Sequence, residues 1–134
     1  RYTKKKVKIK NKPLHYISSD GFHIYVGKNN LQNDQLTFHF AVGNDWWFHA
    51  KQAPGSHVIV RTNGAELPDT TFEEAARLAA YYSSMRGSDK VEIDYVEKKQ
   101  VKKPGGGKPG FVVYYTNYSM VIDSNISQIR LCAD

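Results

Sequence analysis

Residues 45–60, DWWFHAKQAPGSHVIV, decide the fold. Trp46, Phe48 and Ala50 alternate with Trp47, His49 and Lys51, the period of two that marks a strand with unlike faces. Pro54-Gly55 turns the chain. Beyond it, Val58 and Val60 alternate with His57, Ile59 and Arg61. The reading is two consecutive strands joined by a corner. Trp46 and Phe48 belong inside, and Trp47 belongs on an accessible face with His49 and Lys51.

Toward the N-terminus, LHYISSDGFHIYVGK (14–28) reads as a hairpin, with Ser18-Ser19-Asp20-Gly21 as the turn. NNLQNDQLTFHFAVGND (29–45) settles on no single period; a short helix capped by Asn29 or Asn30 and running to Ala41, with Gly43 as its stop, is the expectation. Toward the C-terminus, PDTTFEEAARLAAYYSSMRGS (68–88) reads as the long helix, about residues 71–86. Thr70 with Glu73, or Thr71 with Glu74, supplies a capping box, and Gly87 closes it. Phe72, Ala75, Ala76, Ala79 and Tyr82 form its apolar stripe. Alternation of Val91, Ile93 and Tyr95 gives a strand, PGGGKPG (104–110) a loop, and FVVYYTNYSMVID (111–123) two strands around Thr116-Asn117. SNISQIRLCAD (124–134) has weak helical character. The fold class is therefore α+β: a largely antiparallel twisted sheet with one long helix packed on it.

A chain of 134 residues suits one domain that buries a core without staples. It begins with Arg1, which suggests a piece of a longer protein. One cysteine, Cys132, forms no internal disulfide and points to a reducing compartment. No apolar run is long enough to span a membrane and no signal peptide is visible. The net charge of +6 is unevenly placed. Residues 1–12 hold only bases, as do 98–108 with Lys98, Lys99, Lys102, Lys103 and Lys108, while the remainder is net acidic. Two acid-free basic stretches on an acidic body suit a polyanionic partner.

Catalytic and metal chemistry find little support. The five histidines form no HxxxH, HxH or HExxH pattern, so no metal is expected. Ser56 and His57 are adjacent on a strand and point to opposite faces, which denies them a nucleophile–base relation. KKPGGGKPG departs from the GxxxxGK[ST] phosphate loop because Pro109 follows Lys108. It fits either a mobile hairpin loop or a loop that grips a nucleic-acid backbone through its amides and lysines. Trp47, His49 and Lys51, interleaved on one strand face, suit base stacking with backbone capture. Lys28 and the amides Asn29, Asn30, Gln32 and Asn33 either cap local backbone or meet sugar and base edges.

Taken together, SSDGFHIYVGKNNLQNDQLT, DWWFHAKQAPGSHVIV, EEAARLAAYYS and VKKPGGGKPGFVVY resemble, in order and spacing, the NFACT-R domain at the C-terminal end of RqcH-type proteins, historically labelled fibronectin-binding protein A. The resemblance covers roughly residues 14–123. It implies an RNA-binding part of a ribosome quality-control factor rather than a catalyst. Such factors act on large ribosomal subunits carrying a stalled chain and recruit alanyl-tRNA for alanine tailing. The matching positions are Asp20, Gly21, Gly27, Lys28, Asn29, Asn30, Gln32, Asn33, Trp47, His49, Lys51, Gly55, Ser56, His57, Lys103, Pro104, Gly107, Lys108 and Pro109. Trp46 is an extra aromatic, and Gln52 stands where an acid is expected.

The expectations are then as follows. Residues 1–13 are a basic linker ending a preceding coiled-coil region, 14–123 the NFACT-R domain, and 124–134 a C-terminal tail. RNA is contacted by Lys28, Asn29, Asn30, Gln32, Asn33, Trp47, His49, Lys51, Ser56, His57, Arg61, Lys102, Lys103 and Lys108. The partners are tRNA, large-subunit rRNA and the large subunit, in the cytoplasm and without a membrane. No cofactor, metal or enzymatic activity is expected. A fibronectin-binding surface adhesin and an RNA-modifying enzyme are the alternatives, the latter requiring His49, His57 and an acid such as Asp45 to meet in a pocket.

Overall fold

The computed structural model describes residues 12–133; the basic segment 1–11 lies outside the described residues. The hairpin forms as its turn chemistry dictates, with β1 (Leu14–Ile17) antiparallel to β2 (His23–Val26). At the turn Gly21 adopts φ +91° and Ser18 takes the backbone bonds from Gly21 and Phe22. Asn29 caps the short helix α1 (Asn30–Gln35), its side chain accepting from Gln32 N. The helix widens into a π-helical turn, Leu36–Phe40, closed by Ala41 N donating to Leu36 O. Strands β3 (Trp46–Ala50) and β4 (Val58–Val60) follow, antiparallel as their alternation requires.

Both β4 and β5 (Val91–Glu97) pair antiparallel with β3, so they run parallel to each other and need a crossover. Helix α2 (Asp69–Tyr81) is that crossover, laid over one face. A two-stranded arm of β6 (Val101–Lys102) and β7 (Val113–Tyr114) then leaves the sheet. The chain returns through β8 (Tyr118–Ile122) and ends with β9 (Arg130–Leu131). The order β8-β5-β3-β4-β2-β1-β9 makes one sheet, antiparallel at every pairing.

Register sorts the two faces. Tyr16, Ile24, Val60 and Trp46 form one cross-strand row, and Val26, Val58 and Phe48 another. These face α2, where Ala75, Ala76 and Ala79 let helix and sheet approach closely. The opposite face carries Tyr25, Ile59, Trp47 and Val96, covered by Leu36, Phe38 and Ala41 from the α1 side and by Val101, Val112 and Tyr114 from the arm. This second layer was not foreseen, and it reverses the expectation for the tryptophans. Trp47 is 0% exposed, whereas Trp46 is only half-buried against Phe72 and Tyr95. Alternation assigns each indole to the right face but cannot tell which face is covered.

The α+β class holds, but the single long helix does not. Helix α2 has 13 residues and shares the fold with α1. Its end comes early because Tyr82 O accepts from Ser56 N and Ser84 N donates to Pro54 O, which pulls the chain into a bridge with the β3–β4 corner. No capping box forms either. Pro68 occupies the N-cap, Thr71 bonds to Ser18 and Asp20, and Glu74 accepts from the backbone and hydroxyl of Ser19. Those polar groups tie α2 to the hairpin turn. In the final segment, β9 pairs with β1, Cys132 N donates to His15 O, and Ile129 is 7% exposed in the core.

Candidate nucleic-acid interface

The sequence-derived site residues separate into an interior set and a surface set. The interior set is built around His57, which is 2% exposed. Its Nε2 lies 3.0 Å from Gly110 O, which can only accept, so this nitrogen carries the proton. Its Nδ1 then accepts from the Thr37 hydroxyl at 2.7 Å. Its backbone N donates to Asn33 Oδ1 at 3.0 Å. Ser56 Oγ donates to Gly27 O at 2.6 Å, and Gln32 Oε1 accepts from Lys28 N at 2.9 Å. Gly27 is required here, since a methyl group would stand 2.0 Å from Asn33 Oδ1. Gln32, Asn33, Ser56 and His57 thus each bond within the chain, and Trp47 is fully buried, an interior placement that the reading of these five as exposed RNA contacts did not anticipate.

The surface set comprises Lys28, Asn29 and Asn30 at the start of α1, and Lys102, Lys103 and Lys108 on the arm, all exposed. Asp34 brings the two groups together. Its carboxylate accepts from Lys103 Nζ at 2.9 Å and from Gly110 N at 3.1 Å. Burial pushes the Asp34 carboxyl upward, but the Lys103 hydrogen bond, the Gly110 amide and the Lys103 charge outweigh it and hold it below the usual range. Gly110, at φ +85°, passes so close to Asn30 that a Cβ would lie 3.2 Å from Asn30 O. The glycine-rich loop is thus anchored beside α1. Lys103 is thus paired with Asp34, while Lys28, Lys102 and Lys108 are exposed.

Lys51 and Arg61 do not join this edge. Lys51 stands 3.5 Å from Asp94, which also accepts from Tyr114 and Ser119. Arg61 lies at the far end of β4, roughly 13 Å along the strand from His57, where it bonds to Asp45 and Phe40 O and covers the Phe40 ring. Asp45 is held there by Val42 N, Arg61 and Thr62 N, so the triad of His49, His57 and Asp45 does not assemble.

Between the β3–β4 corner and the arm lies a cleft of about 490 Å³. Trp47, His49 and His57 meet beneath it. The Trp47 and His49 rings are nearly parallel at 5.7 Å, and His57 stands edge-on to both. His49 is half-buried with Nε2 3.2 Å from Gly55 O. Burial lowers its pKa against the opposing pull of Ala50 and Gly55 backbone bonds and Asp94. Burial first, then His49, lowers His57 to about 3. Both rings are neutral at physiological pH. Sequence reasoning missed Phe111 and Tyr114, which close the arm side of the cleft. The signal in the sequence was the run FVVYY (111–115) directly after the glycine-rich loop; which of its residues face the cleft is set by the structure.

Comparison with known proteins agrees with this architecture. A solved structure, the C-terminal part of the fibronectin/fibrinogen-binding protein from Streptococcus suis, superposes with a TM-score of 0.83 at 46% identity, covering 87% of this chain and 47% of that one. Curated relatives described as Rqc2 homolog RqcH are 49% identical over 115 residues in Streptococcus suis and 45% identical over 107 residues in Bacillus subtilis. These matches cover 85% and 80% of this chain, but only 21% and 18% of the relatives. The chain thus spans about a fifth of their length. The family model for the NFACT protein RNA-binding domain matches residues 12–116, and with these relatives it shows that the chain belongs to that family.

Proposed function

We propose that this chain is a non-catalytic RNA-binding module that grips tRNA or large-subunit rRNA on stalled large ribosomal subunits in the cytoplasm. Within a longer RqcH-type factor, this grip supports recruitment of alanyl-tRNA for alanine tailing. The observation that supports the reading is the Asp34 anchor, which ties Lys103 and Gly110 of the lysine- and glycine-rich arm to the helix that begins at Asn30. Lys28, Lys102 and Lys108 supply sequence-independent attraction to phosphate, and the exposed amides Asn29 and Asn30 meet sugar or base edges. No protein nucleophile is invoked: both ring nitrogens of His57 and Nε2 of His49 are engaged within the fold.

Binding to tRNA and to large-subunit rRNA fragments, followed by fluorescence anisotropy in rising salt, tests this. Three phosphate contacts give a log–log slope of about −2 to −3. Changing both Lys102 and Lys108 to alanine reduces the slope by about two and weakens binding to every sequence alike. Binding that ignores salt, or a double variant that binds like the parent, overturns the reading. Immobilised fibronectin serves as the parallel arm, and tight saturable binding there would favour the adhesin reading.

A further inference from the structure

We infer that the cleft between the β3–β4 corner and the arm receives one unstacked nucleobase of a bound RNA strand, an inference that rests on the RNA-binding reading above. The cleft's volume of about 490 Å³ lies within the range of small-molecule pockets. Its surfaces are flat and ring-rich. Trp47 and His49 lie parallel at the base, Tyr114 and Pro54 contribute to the lining, and Phe111 stands 56% exposed. Aromatic and proline faces of this kind stack a base without regard to its identity.

The polar features select a neutral ring over an anion. The histidines at the base carry no charge, so the interior offers a phosphate no cation. Trp47 Nε1 is the one buried side-chain nitrogen or oxygen among the described residues that has no hydrogen-bond partner. A buried donor without an acceptor is costly, and because the indole is sealed from solvent a ring carbonyl relieves it only when the lining side chains part to admit the base. Asn30 lines the cleft with an amide that both donates and accepts, suited to a base edge. The neighbouring carboxylates do not repel an RNA strand strongly. Asp34 is bound to Lys103 and Gly110, and Asp94 to Tyr114, Ser119 and Lys51. Lys108 is joined to the lining through the Phe111 N to Lys108 O bond, and Lys28 precedes Asn30 by two residues. A base seated in the cleft therefore lies next to segments that carry exposed cations for its flanking phosphates. That arrangement favours a nucleic acid over an aromatic side chain of a protein.

The test uses this chain and a single-stranded RNA decamer carrying 2-aminopurine, with the same label in a duplex and as the free riboside. Insertion is expected to change the emission of the single strand at concentrations where the duplex and the free riboside are unaffected. The Trp47 indole N–H resonance shifts on binding while that of Trp46 stays in place. Phe111→Ala, at an exposed position, weakens single-strand binding about tenfold and leaves the salt slope unchanged, because no phosphate contact is lost. Salt-dependent binding in which Phe111→Ala and Asn30→Ala match the parent and the label stays unperturbed would overturn the cleft while sparing the RNA reading. A free riboside that binds as well as the strand also overturns it, in favour of a small-molecule site. Absence of salt-dependent RNA binding overturns both readings.

Discussion

His57 is held in the folded chain in a state that acid opposes. Burial, followed by the neighbouring His49, lowers its pKa to about 3, while Gly110 O and Asp34 act in the other direction. In the unfolded chain the ring titrates near 6.5, so between these values the unfolded state binds more protons and stability rises with pH. The contribution is complete above about pH 6.5 and is lost as pH falls toward 3, at about 1.4 kcal/mol per pH unit. Urea unfolding at pH 5 and pH 7 should show this loss, and His57→Gln should flatten the dependence even though it lowers stability at both values. His49 adds to the slope with the same sign. Asp34 loses its contribution only in more acidic solution, because its carboxyl already sits below the usual range. A parent stability that does not fall from pH 7 to pH 5 would contradict the neutral state of the buried His57 ring. The face of each residue in 45–60 was readable from alternation, yet the exposure of Trp47 was not, since the groups that cover it come from residues 36–41 and 101–114.

At the scale of elements, the arm is fixed by packing of Val101, Val112 and Tyr114 over the second core layer and by a few polar bonds. Lys103 and Gly110 meet Asp34, Gly110 O meets His57, and Tyr114 meets Asp94 at 2.6 Å. Burial, with the Asp94 hydrogen bond and charge, raises the Tyr114 hydroxyl well above its ordinary range, so it keeps the proton it donates to Asp94 into alkaline solution. Asp34→Asn removes the charge that pairs with Lys103 while keeping a carbonyl for Gly110. A loss of about 2 kcal/mol is expected, together with faster hydrogen exchange at the Gly110 amide and unchanged exchange in β3 and β4. Uniform acceleration throughout the sheet would mean that the arm is not a separable unit. The hairpin, α2 and β3 to β5 were legible because each carries its own periodicity or turn chemistry, and the start of α1 was legible from its Asn29 cap, though not its end at Gln35. The early end of α2 was not legible. Residues 82–86 keep helical composition, and it is pairing with Pro54–Ser56, distant in sequence, that stops them. The polar pairs Thr70/Glu73 and Thr71/Glu74 were read as local caps for the same reason, whereas Thr71 and Glu74 reach the β1–β2 turn.

At the scale of the molecule, the last strand completes the sheet that the first strand begins. β1 lies near one edge of the seven-stranded sheet, and among the described residues β9 covers its outer side. Two residues of pairing and the Cys132 N to His15 O bond seal that edge, and Ile129 enters the core beside them. Residues 124–134 read from sequence as a weakly helical tail because a two-residue strand is too short to show a period. Their role is set by a partner more than a hundred positions earlier. A dispensable tail and a closing strand predict different results for deletion of residues 128–134. A tail leaves the urea midpoint unchanged. Loss of a buried isoleucine side chain alone costs about 2 to 5 kcal/mol, and unpaired β1 backbone groups add to that. The deletion should therefore lower stability by at least about 2 kcal/mol and speed hydrogen exchange in β1 more than in β5. Ile129→Ala, which keeps the β9 backbone, should reproduce most of the stability loss without exposing the β1 edge. If the deletion behaves like the parent in both measurements, β9 is not part of the cooperative fold.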